Sequence, residues 1–264
     1  MQETLVDYRE TYSFQPVDSF SASRLSDAPT LEQVLQVAER LRAAEPQYRY
    51  LCTLDDVNQS CYTRGHALED ERLTFDYDYD DLDLDDPESV RAYESRRLAH
   101  VVAQLQDPQL QQAWESLPGT LYVNADDIAA LAAMNRDPQR VLDQVVYVQR
   151  VPVPEDNLLI AGMVNGYFSA DWDVFQNHAI IRRLEERHGY RFFGIGAAWL
   201  GFIRPQAPGA DEARRLVADL TELYDVQDDE QGEAAPAWRE LAQAVQASKV
   251  LLLGYAEDFA AILE

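Results

Sequence analysis

Hydrophobic positions along this chain change period several times, and each change marks an element. Residues 1–29 are polar, rich in Ser and Tyr, and interrupted by Pro16 and Pro29, which predicts irregular structure with at most one short strand. From Thr30 the period becomes helical. Leu31, Val34, Leu35, Ala38 and Leu41 form one stripe, Thr30 and Gln33 have capping-box spacing, and Pro46 stops the helix. Runs at 47–53 and 60–64 flank the turn-like segment Asp55-Asp56-Val57-Asn58-Gln59, which predicts a hairpin bringing Cys52 near Cys61. Residues 73–86 then alternate: Phe75, Tyr77 and Tyr79 on one face of a strand, Asp76, Asp78 and Asp80 on the other. The doubled Asp80-Asp81 acts as a bulge before Leu82 and Leu84.

Three Asp-Pro pairs follow, at 86–87, 107–108 and 137–138, each placing a capping carboxylate before a proline at a helix start. The first predicts a helix with Val90, Tyr93, Val101, Val102 and Leu105 inward. The second predicts one with Leu110, Ala113, Trp114 and Leu117, ended by Pro118-Gly119. Leu121 to Val123 reads as a short strand, and Asn124 caps a helix reaching Met134. Val145 to Val151 is a β-branched, buried strand. After Pro152 and Pro154 the pattern predicts a helix over 172–188, strands over 190–195 and 198–203, helices over 211–224 and from Pro236, and a last strand over 249–255. There is no internal repeat. The expected fold is α+β, a mixed sheet flanked by helices, with a helix-rich amino-terminal part (1–150) and a carboxy-terminal part (151–264).

Charge changes the picture more than size does. Asp and Glu number 47 against 22 Lys and Arg, a formal charge of −25, and Lys249 is the only lysine. Such a field repels nucleic acid and anionic lipid and attracts cationic partners. Three readings stay open: solubility in a salt-tolerant or GC-rich host, a surface for a basic protein, and mimicry of nucleic-acid phosphates. The first residues lack the basic and apolar regions of a secretory signal, and no apolar run has the length of a membrane span, so the cytoplasm is expected. Two cysteines are too few for a disulfide framework; two reduced thiols are the expectation, with a Cys52–Cys61 bridge as the alternative.

No residue set forces a chemistry. Asp76, Asp78 and Asp80 have the opening spacing of a calcium loop, but Asp81 stands where that loop needs glycine, so no metal is expected. The glycines between Gly194 and Gly201 suit a tight turn between strands, because apolar strand-like residues follow them instead of a helix amino terminus. Asp126-Asp127 falls in a first helical turn, where carboxylates favour the dipole. No cofactor and no catalytic set is expected. The candidate partner-binding residues are Tyr77, Asp78, Tyr79, Asp80, Asp81 and Asp83, extended by Asp228 and Asp229 in an acidic loop; tyrosines beside carboxylates suit a partner's arginines and lysines. An alternative pocket, for an enzyme or a small-molecule binder, is centred on His178, Arg182 and His188.

The carboxy-terminal part resembles the bacterial family catalogued as domain of unknown function 4253. The resemblance runs through Asn165-Gly166-Tyr167, His178-Ala179-Ile180-Ile181-Arg182 and Glu186-Arg187-His188-Gly189-Tyr190. It continues with Phe202-Ile203-Arg204-Pro205, Glu212-Ala213, Leu223-Tyr224, Leu241-Ala242, Ser248 and the run Val250 to Tyr255. It departs where Asp225-Val226-Gln227 replaces the family's Cys-Pro-Asp segment and Gly254-Tyr255 its paired tryptophan. The resemblance implies a fold and no activity. The function expected from the residues is a non-enzymatic, acidic protein-binding module, such as an immunity protein that neutralises a basic toxin.

Overall fold

The computed structural model describes all of residues 1–264 except 8, 10–15, 78–81, 169, 227–231, 233 and 264. Its centre is one mixed seven-stranded sheet: β1 (Gln2–Leu5), β2 (Ser21–Ser26), β3 (Arg49–Thr53), β4 (Val146–Val151), β5 (Arg191–Ile195), β6 (Trp199–Ile203) and β7 (Val250–Gly254), in the spatial order β1-β2-β4-β3-β5-β6-β7. Every neighbouring pair is antiparallel except β3 and β5. The α+β expectation therefore holds. The β3–β5 pairing also carries the sheet across the division expected at 150/151. Burial follows position in the sheet. In β2 buried and half-buried residues alternate, whereas β6 and β7 are buried throughout, which is why they read as unbroken apolar runs.

Seven α-helices surround the sheet among the described residues: α1 (Leu31–Ala44), α2 (Val57–Ala67), α3 (Pro87–Gln106), α4 (Ala125–Arg136), α5 (Val174–His188), α6 (Ala210–Tyr224) and α7 (Ala235–Ala247). α1 packs on β3 and β4, α5 on β5, and α4 on β7 and α7. Of the expected caps, Thr30 with Gln33 and Asn124 with Asp127 make reciprocal capping boxes, and Asp86 accepts from the Glu88 N–H at the start of α3, whereas Asp137 makes no side-chain cap; Asp173 with Gln176 adds a capping box on α5. None of the described helices is long and apolar enough to cross a membrane.

Five expectations fail. The hairpin at 47–64 does not form: β3 is its first half, but residues 57–67 are helix α2, capped by the Asp56 carboxylate. Cys52 is buried, Cys61 is half-buried, and no disulfide joins them. The described part of the 73–86 strand is instead a 3-10 turn at Glu71–Leu73 followed by irregular chain, because Phe75 and Tyr77 turn inward onto α3. Residues 108–117 hold only a turn after Asp107 and a 3-10 turn at Trp114–Ser116, and no strand spans 121–123. The amino-terminal segment supplies two strands, β1 and β2, where at most one was expected.

Candidate functional site

Asp78, Tyr79, Asp80, Asp81, Asp228 and Asp229 lie outside the described residues, so the acidic candidate surface is represented by Tyr77 and Asp83. Tyr77 packs edge-on against Tyr93 of α3 at 4.7 Å between ring centres, with the Arg96 guanidinium 5.7 Å from its own ring centre. Asp83 is exposed and accepts the backbone N–H of Asp85 at 2.9 Å, shaping the turn that leads into α3.

The histidines separate. His178 is buried in α5, and burial, helped by the charge of Arg182, pushes its imidazole down to about 4. Arg182 reaches away to donate to Gln111 at 2.9 Å. His188, the last residue of α5, lies 3.0 Å from Asp219 of α6. Burial of Asp219 opposes its ionisation, but the bonds from His188 and Arg183 outweigh it and hold the carboxyl below its ordinary value. The three residues thus serve separate contacts. Gly196 lies in the turn between β5 and β6, and Gly194 and Gly201 stand opposite each other in the two strands. Asp127 closes the capping box of α4.

The structure brings forward an aromatic surface for which the sequence offers no local pattern. It is built from a buried polar network. Asn165 donates to the Ser60 carbonyl and hydroxyl, both at 3.2 Å, and its amide oxygen meets the Thr63 hydroxyl, so this loop residue is pinned to the inner face of α2. Gly166 then turns with φ +88°, and a Cβ there would come within 2.1 Å of the Trp172 carbonyl oxygen, so only glycine fits. That turn delivers Tyr167 onto His66 of α2. Tyr62 and His66, one helical turn apart, lie 4.6 Å between ring centres, His66 and Tyr167 4.7 Å, and Tyr167 and Phe168 5.3 Å.

Four rings therefore form a continuous ladder at the surface. Tyr62 is 59% exposed, Tyr167 45% and Phe168 49%, levels unusual for large aromatics and remote from core packing. Acids stand beside it. The Glu69 carboxylate is 3.7 Å from His66 Nδ1, and Glu69 and Glu71 are exposed just beyond the end of α2. Asp171 donates its N–H to the Phe168 carbonyl, and burial holds its carboxyl above the usual range.

A second carboxylate, Asp55, is buried just after β3. Oδ2 accepts the Ala198 N–H at 2.8 Å, and burial pushes its pKa up to about 7. Its backbone carbonyl takes the Ala197 N–H at 3.1 Å, so Asp55 clamps the β5–β6 turn from both sides. Among the described residues no group of three or more His, Cys, Asp or Glu is arranged to hold a metal ion. Comparison with protein-family models, curated proteins and solved structures finds no match to this chain.

Proposed function

We propose that this chain is a binding protein for a basic protein partner, received on the ladder of Tyr62, His66, Tyr167 and Phe168 and on the carboxylates around it. The observation that carries the reading is that ladder: exposed, pre-stacked rings in a chain of formal charge −25. Rings next to acids receive arginine and lysine twice over, through cation–π contact and through charge. The network under Asn165 holds the loop in place before binding, so little ordering cost falls on association. An immunity-type role, in which the partner is a basic toxin whose active site is covered, is the form of this reading that the charge favours.

The test uses purified protein and a fluorescently labelled peptide of alternating Arg and Gly, followed by anisotropy at 50 and 300 mM salt. The Y62A/Y167A variant should bind at least tenfold more weakly, and E69Q/E71Q should lose several-fold at low salt. A variant with the same charge loss elsewhere, E88Q/D211N, should change little. Equal binding by Y62A/Y167A and the wild type would reduce the interaction to undirected charge attraction and end the proposal.

A further inference from the structure

A cationic groove runs along one end of the sheet, where Arg191 of β5, Ile203 of β6 and Val250 of β7 lie side by side in register. Three adjoining cavities compose it. The first, about 190 Å³, is lined by Arg187, His188, Tyr190, Arg204, Glu212 and Arg215. The second, about 460 Å³, shares Gly189 and Arg204 with the first and adds Arg191, Pro205 and Lys249. The third, about 590 Å³, shares Lys249, Glu39 and Ile203 with the second and opens between Leu31 and Leu35 of α1 and Val250.

Five cations converge here in a chain where acids outnumber bases by more than two to one. Glu39 pairs with Arg191, and Glu212 takes long 3.4 Å contacts from Arg204. Arg187, Arg215 and Lys249 make no ion pair among the described residues. The dipole of α5 favours cations at Arg187 and His188 in its last turn, but it does not account for Arg204, Arg215 and Lys249, which come from other elements. Tyr190 is 1% exposed and packs against Arg204, whose guanidinium lies 5.5 Å from its ring centre.

We propose that this groove binds a small amphiphilic oxyanion. Its phosphate or carboxylate head sits among Arg187, Arg204, Arg215 and the Tyr190 hydroxyl, and its apolar tail runs past Lys249 to Leu31, Leu35 and Val250. Arginine presents paired donors that match such a head, and the α1 end offers Leu31, Leu35 and Val250 as an apolar wall, with Glu32, Glu39 and Asp137 also lining the cavity. The tail gains by leaving water, and the head gains by replacing solvent at Arg187 and Arg215 and by competing with the long Glu212 contact at Arg204. The site is independent of the aromatic ladder and stands whether or not a basic protein binds there.

Calorimetric titration of the full chain with octyl phosphate below its micelle concentration, and with inorganic phosphate, tests this. Octyl phosphate should bind, and at least tenfold more tightly than inorganic phosphate. R187Q/R215Q, which alters exposed side chains only, should weaken both by tenfold or more. L35Q should remove most of the octyl advantage and leave inorganic phosphate unchanged. Absence of binding at millimolar octyl phosphate, or equal affinity in R187Q/R215Q, would overturn the site; equal affinity for the two ligands would overturn the tail channel.

Discussion

Asp55 and His178 are two buried ionisable groups with opposed responses to pH. Asp55 is fully enclosed, and its Oδ1 lies where any side chain at position 196 would stand, 1.9 Å from a Cβ built on Gly196. Removal from water favours its neutral form, and its pKa rises to about 7. Between about pH 4 and 7 the folded chain then holds a proton that the unfolded chain releases, so this group's share of stability is lost as pH rises through that window. His178 does the reverse. Its pKa falls to about 4, so the unfolded chain binds the extra proton below about 6.5 and stability is lost as pH falls. The two slopes largely offset each other from pH 4 to 6.5. D55N removes one of them. Its stability relative to wild type should grow from pH 4 to 7, by an amount on the order of 4 kcal/mol, and stop growing above pH 7. Urea unfolding at half-unit pH steps measures this, and a constant difference would show that the Asp55 carboxyl is ionised throughout.

At the scale of elements, the open edge of the sheet at β7 is closed by a side chain. Leu252 turns its N–H and carbonyl away from β6, and Asn135 of α4 receives both: its Oδ1 accepts the N–H at 2.8 Å, and its Nδ2 donates to the carbonyl at 2.8 Å. A buried amide thus stands in for a neighbouring strand, and the edge offers no template for pairing with another copy. N135A strands two buried backbone groups and should cost about 2–4 kcal/mol, with more aggregation on heating than a core truncation of equal cost, such as L131A, produces. Denaturant midpoints and light scattering give the two readouts. None of this could be read ahead: Asn135 sits in a run that reads as an ordinary helix end. α1, α5, α6 and α7 were legible because their buried residues are mostly apolar at helical spacing, and Thr30, Asp173 and Pro236 mark the starts of α1, α5 and α7. α2 was not, because its buried face of Val57, Ser60, Thr63, Arg64 and Ala67 has the right spacing but polar residues at its centre. Ser60 and Thr63 are met by Asn165, and Arg64 by Glu94 of α3 at 2.7 Å, and both partners are distant in sequence. The aromatic ladder was hidden for the same reason, since Tyr62 and Tyr167 meet only through that network. The groove was hidden too, its cations arriving from five elements and segments.

At the scale of the molecule, two electrostatic terms compete, and their ranges decide between them. The ion pairs are short, such as 2.7 Å for Arg42–Asp156 and 2.9 Å for Arg183–Asp219, and salt weakens such close, partly buried pairs little. The formal excess of 25 negative charges repels over tens of ångströms, a distance at which a Debye length of about 10 Å at 0.1 M screens strongly. Added sodium chloride should therefore stabilise the fold. Between 20 and 500 mM the melting temperature should rise, by about 2–4 °C for each kcal/mol of repulsion removed. Binding of a basic partner at the ladder has the opposite sign, because the same screening removes the attraction that steers the partner in. Calorimetric melting and peptide anisotropy over one salt series should thus give curves of opposite slope if the proposed binding at the ladder is correct. If the melting temperature falls with salt instead, short-range pairs dominate the balance. The excess charge would then be too dispersed to act as a field, and binding at the ladder would have to rest on ring contacts alone.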